Sequence, residues 1–454
     1  MRVVFDRIDI PEFGGPDGIP AIPPALYENR LARLLRRLKQ ERLDAAVVYA
    51  DREHSANMAY LTGFDPRFEE ALFILLADGR RTLIVGNECH GVLGGLPIRC
   101  DVLLCQEFSL MGQSREISWD LKPLLKKAGI GPRLRCGTLG WKTLMAGRIE
   151  LPAYMVDLLT ELCGQAPCNA NDLLMQEETG LRLFNEPEQL AVFEHAAVLT
   201  SRAVLGVLKA LKPGIREFEA IRAMQTDGLP LSCHAMLSFG HDIKNGMASP
   251  DNTRLAEGHR VTTALGVWGS LTCRAGLAIR DERGFSGAAG ARHRSVINNY
   301  LRVTRAWYET VGVGVEAGAV WQAVERARDK ALYTLCVNPG HYLHLDEWVN
   351  SPFRKGSKAR LPASSALQAD IIPVGRKGSV VVNMEDGIAL ADAAFRKELK
   401  RKNPALLARC QARRAFMNQT LGYNVGEDVL PLGNMPGVYF PFLLDTSRVC
   451  LFRK

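Results

Sequence analysis

Apolar positions along this chain change their period several times, and each change marks an element. Leu31, Leu34, Leu35 and Leu38 recur at helical spacing among Arg33, Arg36, Arg37 and Lys39, which predicts an amphipathic helix. The run Ala45-Ala46-Val47-Val48-Tyr49-Ala50 has the length and composition of a buried strand, and a further helical piece ends at Tyr60-Leu61-Thr62-Gly63-Phe64. Two more apolar runs, residues 71–76 and 82–85, flank Asp78-Gly79 and predict a hairpin. This alternation continues to about residue 175. It predicts a compact α/β domain over residues 1–175, whose first two dozen residues, rich in Pro and Gly, form a surface arm.

Past Cys168-Asn169-Ala170-Asn171 the pattern loosens and restarts. Asn185-Glu186-Pro187-Glu188 opens a long helix: Pro is tolerated in a first turn, and acidic side chains favour the positive end of the helix dipole. Lys212-Pro213-Gly214 stops it. A second helix covers about 217–225, strand-like runs follow at 235–239, 260–264 and 271–273, and helical spacing returns over 296–311 and 317–335. Helices on a mainly antiparallel sheet make an α+β second domain over residues 176–454, with a carboxy-terminal extension from about 390. Phe416, Leu421, Leu430, Phe440 and Phe442 give that extension more apolar surface than a disordered tail carries, so it is expected to cover the rim of the second domain or a partner subunit.

Composition narrows the class. A chain of 454 residues with 47% hydrophobic residues can bury two cores. The opening Met1-Arg2-Val3-Val4-Phe5-Asp6 lacks an apolar signal region, and no uninterrupted apolar run approaches membrane-spanning length, so a cytoplasmic protein without a membrane partner is expected. Eleven scattered cysteines, an odd number without a CxxC pair, fit reduced thiols better than a disulfide framework. The net charge of +8 has its densest run at residues 396–402. That run reads as a solvated helix face with few aromatics, which argues against nucleic acid.

Candidate chemistry gathers late in the chain. His341, His344, Asp346 and Glu347 follow the turn signal Pro339-Gly340, and Asp370 and Glu385 sit on or beside apolar, β-prone runs. Histidine and carboxylates converging from separate strands suit metal binding or general acid–base work. His341 and His344 stand an odd number apart, so in an extended segment one faces the cleft while the other packs or meets solvent. Asp370 and Glu385 must be paired, solvated or functional, because an unpaired charge in an apolar run is costly. Cys273-Arg274 reads as a thiolate stabilised by its neighbour or as a small core cysteine, and Arg274 alternatively clamps a substrate carboxylate. His234 and Trp268 are candidates for the pocket wall, against core or surface roles.

Several of these segments, in their order and spacing, resemble the creatinase, aminopeptidase P, prolidase and methionine aminopeptidase superfamily, which has the pita-bread fold. Residues 60–64 and the Gly79 hairpin resemble the creatinase-type amino-terminal domain. Lys212-Pro213-Gly214 with Glu217 and Glu219 resembles the superfamily's KPG…E turn, Leu255-Ala256-Glu257-Gly258 its LxxGD turn, and Met384-Glu385-Asp386 its final VED strand. The resemblance spans about residues 25–395 and implies two metal ions held by two aspartates, a histidine and two glutamates. Here the first aspartate position is Ala264, and the second falls near Cys273 or Ala275. The histidine position maps to His341 or, less well, His344; the glutamate positions map to Asp370 and Glu385. A dinuclear site is therefore not expected, and the resemblance leaves room for no cofactor or for a single divalent ion. Asp346 and Glu347 stand near the superfamily's His-Glu pair or in a solvated turn. The metal-free creatinase branch relies on a loop histidine, and Ala248 takes that place here, with His241 seven residues earlier.

The implied function is hydrolysis of a C–N bond in a small amide, amidine or short peptide, with His341, Asp370 and Glu385 catalytic and Arg274, His234, Trp268 and His344 binding substrate. The alternatives are a non-catalytic binding paralogue and a mononuclear Xaa-Pro-type peptidase. A homodimer is implied by the resemblance only.

Overall fold

The computed structural model describes residues 1–118, 120–145, 147–241, 248–375 and 381–454. Residues 242–247, which lie between His241 and Ala248, and 376–380 are outside these. The chain forms two compact units, one of residues 22–182 and one of residues 1–21 together with 183–454.

In the smaller unit the continuous apolar runs become central strands. Ala45–Ala50 and Ala71–Leu76 are buried at every position and pair antiparallel. The hairpin from Ala71–Leu76 to Arg81–Val85 turns at Gly79, whose φ of +96° is a backbone conformation that glycine adopts without strain. Six strands form the sheet, in the order Asp101–Leu104, Arg81–Val85, Ala71–Leu76, Ala45–Ala50, Cys136–Leu139, Cys168–Asn169. The amphipathic helix is Pro24–Gln40, which buries Leu31, Leu34 and Leu38.

The larger unit is α+β. One antiparallel sheet orders Asn383–Glu385, Ser270–Leu277, Arg260–Val267 and Leu231–Gly240; a second orders His341–Tyr342, Ala366–Gln368, Gly387–Leu390 and Val429–Pro431. The chain crosses from the first sheet to the second at Asp386. Helix Pro187–Ala210 packs on strands Arg260–Val267 and Ser270–Leu277, and its Thr200 hydroxyl lies 2.9 Å from that of Thr272. This helix is apolar and long enough to cross a membrane, but 67% of its most apolar window is buried inside the unit, as a core helix requires. The carboxy-terminal extension is part of this core: Phe416, Leu421, Leu430, Phe440 and Phe442 are all buried. Two helical expectations shorten. The 317–335 stretch ends its helix at Ala327, after which Thr334–Leu335 pairs with Pro373–Val374. The 217–225 stretch is helix only over Glu217–Ala220, followed by a 3-10 turn.

Candidate functional site

The site forms where the two sheets meet. Glu385 ends one strand of the first sheet, and Tyr300 of helix Gly287–Thr310 fixes that strand: its hydroxyl accepts from Met384 N–H at 2.8 Å and donates to the Met384 carbonyl at 3.1 Å. His341 begins an edge strand of the second sheet, opposite Gln368. Gly340 makes that placement possible. Its φ is +103°, and a Cβ there would sit 2.8 Å from the Gln368 carbonyl oxygen and 3.1 Å from the Trp307 ring nitrogen. That nitrogen donates to the Pro339 carbonyl at 2.7 Å, and Ser351 donates to the Gly340 carbonyl at 2.7 Å. The buried turn is thus held from both sides.

His341, Asp370 and Glu385 are buried and offer ligand atoms within 4.8 Å of one another. The His341 Nδ1–H donates to the Tyr342 carbonyl at 3.1 Å, which orients the ring with Nε2 towards the carboxylates. Nε2 lies 3.7 Å from Glu385 Oε1 and 3.0 Å from Glu347 Oε1. The Glu347 contact is an ion pair, and Nε2 makes no hydrogen bond by strict geometry. Asp370 Oδ1 is likewise buried without a partner. Gln368 donates to Glu385 Oε1 at 3.3 Å and to the Leu271 carbonyl at 2.7 Å. Trp348 stacks on the imidazole at 4.2 Å between centroids.

The cluster carries excess negative charge. Burial, then the charge of Glu385, raises the Asp370 carboxyl well above its ordinary range. Burial raises Glu385 to about 7, with Glu347 adding to the rise and His341 opposing it. Burial pulls the His341 imidazole down, but Glu347, Glu385 and Asp370 outweigh it and raise it strongly. Two like charges 4 Å apart repel by about 4 kcal/mol at the effective dielectric of such sites. Three carboxylates around one ring nitrogen therefore call for protons or a cation between them. The partnerless nitrogen and carboxylate oxygen fit a cation.

The donor set suits one ion. In register across the first sheet, Glu385 faces Cys273, which faces Ala264, which faces Met236. Glu385 is the one carboxylate in that row. Cys273 is held as a neutral thiol: burial, then Glu385 and Asp370, push its pKa well above the ordinary thiol value. That is the opposite of an activated nucleophile.

The other candidates separate. Arg274, expected as a carboxylate clamp, is 1% exposed and has no donor left for a substrate. Its guanidinium binds Asp386 at 2.8 and 3.0 Å and the carbonyls of Val438, Cys273, Glu385 and Met435. His344 is fully buried edge-on to Phe193 at 5.1 Å and stands apart from the His341 cluster. Trp268 sits at the hairpin between Arg260–Val267 and Ser270–Leu277, and His234 lies exposed within the irregular stretch of Leu231–Gly240. His241 stacks edge-on to His259 at 4.5 Å. Trp348 is the addition, beside Glu347, which the sequence left between a His-Glu pair and a solvated turn: the segment returns on itself, with Tyr342 bridging Asn350, and lays both side chains against His341.

Comparison with known proteins agrees with this architecture. The sequence model of the Creatinase/Prolidase N-terminal domain matches residues 30–90. No curated protein matches the chain by sequence. Among solved structures, the prolidase of Pyrococcus horikoshii OT3 is similar at 14% identity and a TM-score of 0.62, over 80% of this chain and 95% of that one. The dipeptidase PepE of Mycobacterium ulcerans is similar at 19% identity and a TM-score of 0.60, over 83% and 95%. The Xaa-Pro dipeptidase of Bacillus anthracis is similar at 14% identity and a TM-score of 0.62, over 81% and 96%. At such identities the likeness establishes the fold: this chain has the two-domain, pita-bread architecture of the prolidases, with a creatinase-type amino-terminal domain.

Proposed function

We propose that the chain is a hydrolase of a C–N bond in a short peptide or small amide, working with a single divalent ion and not with a dinuclear centre. The observation that carries this is the buried triad His341, Asp370 and Glu385, together with Ala264 and Cys273 where a second ion would need carboxylates. Three protein ligands with an open position are what a catalytic mononuclear site needs. A bound divalent ion supplies Lewis acidity towards a carbonyl and acidifies a water. The chain's own contribution is to present Nε2 in one tautomer, through Tyr342, and to orient the Glu385 carboxylate through Gln368. A peptidase activity is supported by the names of the structural neighbours, which is an argument from fold.

A binding protein without turnover is the second reading, favoured by Ala248 in the loop-histidine place and by the neutral Cys273 thiol. Both readings include a cytoplasmic homodimer whose partners are small molecules or short peptides, with neither nucleic acid nor membrane involved. The deciding experiment measures metal content in protein purified without chelator and turnover on dipeptides, amides and guanidino compounds. The proposal expects one divalent ion per chain and turnover that His341→Ala and Glu385→Gln each abolish while Cys273→Ser retains it. Two stoichiometric ions, or turnover indifferent to both variants, would sink it. Specific binding of a substrate without turnover would favour the second reading.

A further inference from the structure

We propose that the smaller unit carries a binding site of its own for a small organic cation, a guanidinium or primary amine on a short aliphatic chain. The site is a cleft of about 310 Å3 lined by Tyr49, Asp51, His54, Trp141 and Glu150. That volume falls within the roughly 300–1,000 Å3 of small-molecule pockets. The cleft shares no residue with the His341 cluster, and the inference does not depend on hydrolysis there. Its place follows from the sheet. Strands Ala45–Ala50 and Cys136–Leu139 run parallel, in register from Ala45↔Cys136 to Val48↔Leu139. Asp51 follows one carboxyl end and Gly140-Trp141 the other, and the crevice beyond such ends is where open α/β sheets receive ligands. Gly140 lets the Glu150 segment close on it: a Cβ there would sit 2.5 Å from the Glu150 Cβ and 2.9 Å from the Glu150 carbonyl oxygen.

Glu150 is held as an acceptor with one oxygen to spare. The backbone N–H groups of Trp141 and Lys142 at 2.8 Å and of Thr143 at 3.1 Å, with the Asn171 amide at 2.8 Å, all donate to its Oε2. Oε1 keeps no hydrogen bond among the described residues. Burial works against the charge, but these donors outweigh it and hold the carboxyl below its ordinary value. Across the cleft the Tyr49 hydroxyl donates to Glu70 at 2.8 Å. Burial raises the Glu70 carboxyl; Tyr49 opposes the rise, and the charges of Asp51 and Glu107 add to it. Asp51 is taken by His54 at 3.0 Å, whereas neither Glu70 nor Glu107 is paired with a basic side chain among the described residues. The cleft therefore carries negative charge that lacks a counter-ion. Beside it Trp141 is 38% exposed, with the His54 ring 4.2 Å from its own between centroids. The Lys142 ammonium stands 3.9 Å from the indole centroid and pairs with no carboxylate among the described residues, so the indole face takes a cation while the carboxylates are left to a ligand. A free carboxylate oxygen, an unpaired acidic group and an indole face together select a cation that carries N–H donors on an apolar body.

The test titrates the full chain with agmatine by calorimetry, independently of turnover. Agmatine is expected to bind about 10-fold or more tighter than an uncharged alkylurea of the same length, and to bind equally well in His341→Ala. Glu150→Gln should weaken it roughly 10- to 100-fold, the range of a hydrogen bond to a charged group. Because Glu150 also holds its turn, Trp141→Leu serves as a second variant, expected to weaken agmatine about 3- to 10-fold. Lys142→Ala removes the ammonium that already stands over the indole and should tighten binding, which a merely structural loop would not do. An acetyl-Gly-Arg-Gly amide titrated alongside separates the sources of the cation: affinity at or above that of agmatine assigns the site to an arginine side chain of a peptide, and lower affinity to a free amine. No binding of agmatine, equal affinity for the alkylurea, binding lost in His341→Ala, or affinity unchanged in both Glu150→Gln and Trp141→Leu overturns the site.

Discussion

Arg274 and Asp386 make the buried ion pair that holds the junction of the two sheets. The carboxylate sits at the crossover and also accepts from Gly437 N–H at 3.1 Å. Removing one partner of such a pair leaves a buried, uncompensated charge, and Arg274→Met should cost about 3–5 kcal/mol of stability in denaturant unfolding. Arg274→Lys should recover little, because an ammonium cannot reproduce the planar fork that reaches Asp386 and four carbonyls at once. A loss near the about 1 kcal/mol of surface pairs would show that water reaches the junction. A second residue sets a pH dependence. Burial, then the charge of Arg260, presses the His293 imidazole down to about 4. Because that lies below the unfolded value of about 6.5, the stabilisation is complete above pH 6.5 and is lost as pH falls through 4, where the folded ring is finally protonated. The effect amounts to about 3 kcal/mol between those limits. Unfolding free energies of the native chain and His293→Phe, compared from pH 7 to 4, should converge as the pH drops. Parallel curves would rule His293 out as the source.

Among the elements, helix Pro404–Phe416 is tied into the larger unit through one carboxylate. Glu194, fully buried in helix Pro187–Ala210, receives Arg413 at 2.7 Å and Arg409 at 2.7 and 2.5 Å, and Arg413 also reaches Asn434 and the Gly14 carbonyl. Glu194→Ala leaves the buried Arg413 cation without its counter-charge, so a destabilisation of about 3–5 kcal/mol is expected, with faster hydrogen exchange concentrated in residues 404–416. Exchange rising evenly over the whole unit would mean that the helix is no separate weak point. Elements with one dominant apolar period were legible in the sequence, as Ala45–Ala50 and Pro187–Ala210 show. Those set by tertiary partners were not. Helix Ala317–Ala327 stops because Arg328 turns extended and donates to the Tyr333 carbonyl, which lets the next residues join a strand pair. Helix Gly287–Thr310 begins earlier than its apolar spacing because Gly290 lies against the Phe285 backbone, where a Cβ would approach to 2.2 Å. His341, Asp370 and Glu385 stood out as polar residues in apolar strands. Glu347 stood out only as a residue near the superfamily's His-Glu pair or in a solvated turn, since its approach to His341 depends on a loop closure that no periodicity records.

At the scale of the whole chain, the amino-terminal arm is structural. Arg2–Arg7 pairs antiparallel with Arg448–Arg453 in six consecutive register positions from Arg2↔Arg453 to Arg7↔Arg448, so the two ends of the sequence close one ribbon. Phe5 packs edge-on to Phe442 at 5.4 Å and near Phe285 at 6.0 Å, and the Gly14 carbonyl accepts from Asn434 at 3.1 Å. The smaller unit is thus a continuous segment, 22–182, set in sequence between a strand of the larger unit and the rest of it. That topology separates the two stabilities. Deleting residues 1–21 leaves Arg448–Arg453 as an unpaired edge and uncovers Phe442, a loss on the order of a few kcal/mol from half-buried side chains and ladder hydrogen bonds. It should lower the melting temperature of the larger unit and raise its tendency to self-associate through the freed edge. The segment 22–182 keeps its own six-stranded sheet and core, so expressed alone it should fold and melt cooperatively, at a temperature the arm does not affect. Calorimetry of the full chain, residues 22–454 and residues 22–182 tests both statements. Equal melting of the full chain and 22–454 would show the terminal ribbon to be dispensable, and a failure of 22–182 to fold would show that it depends on the larger unit.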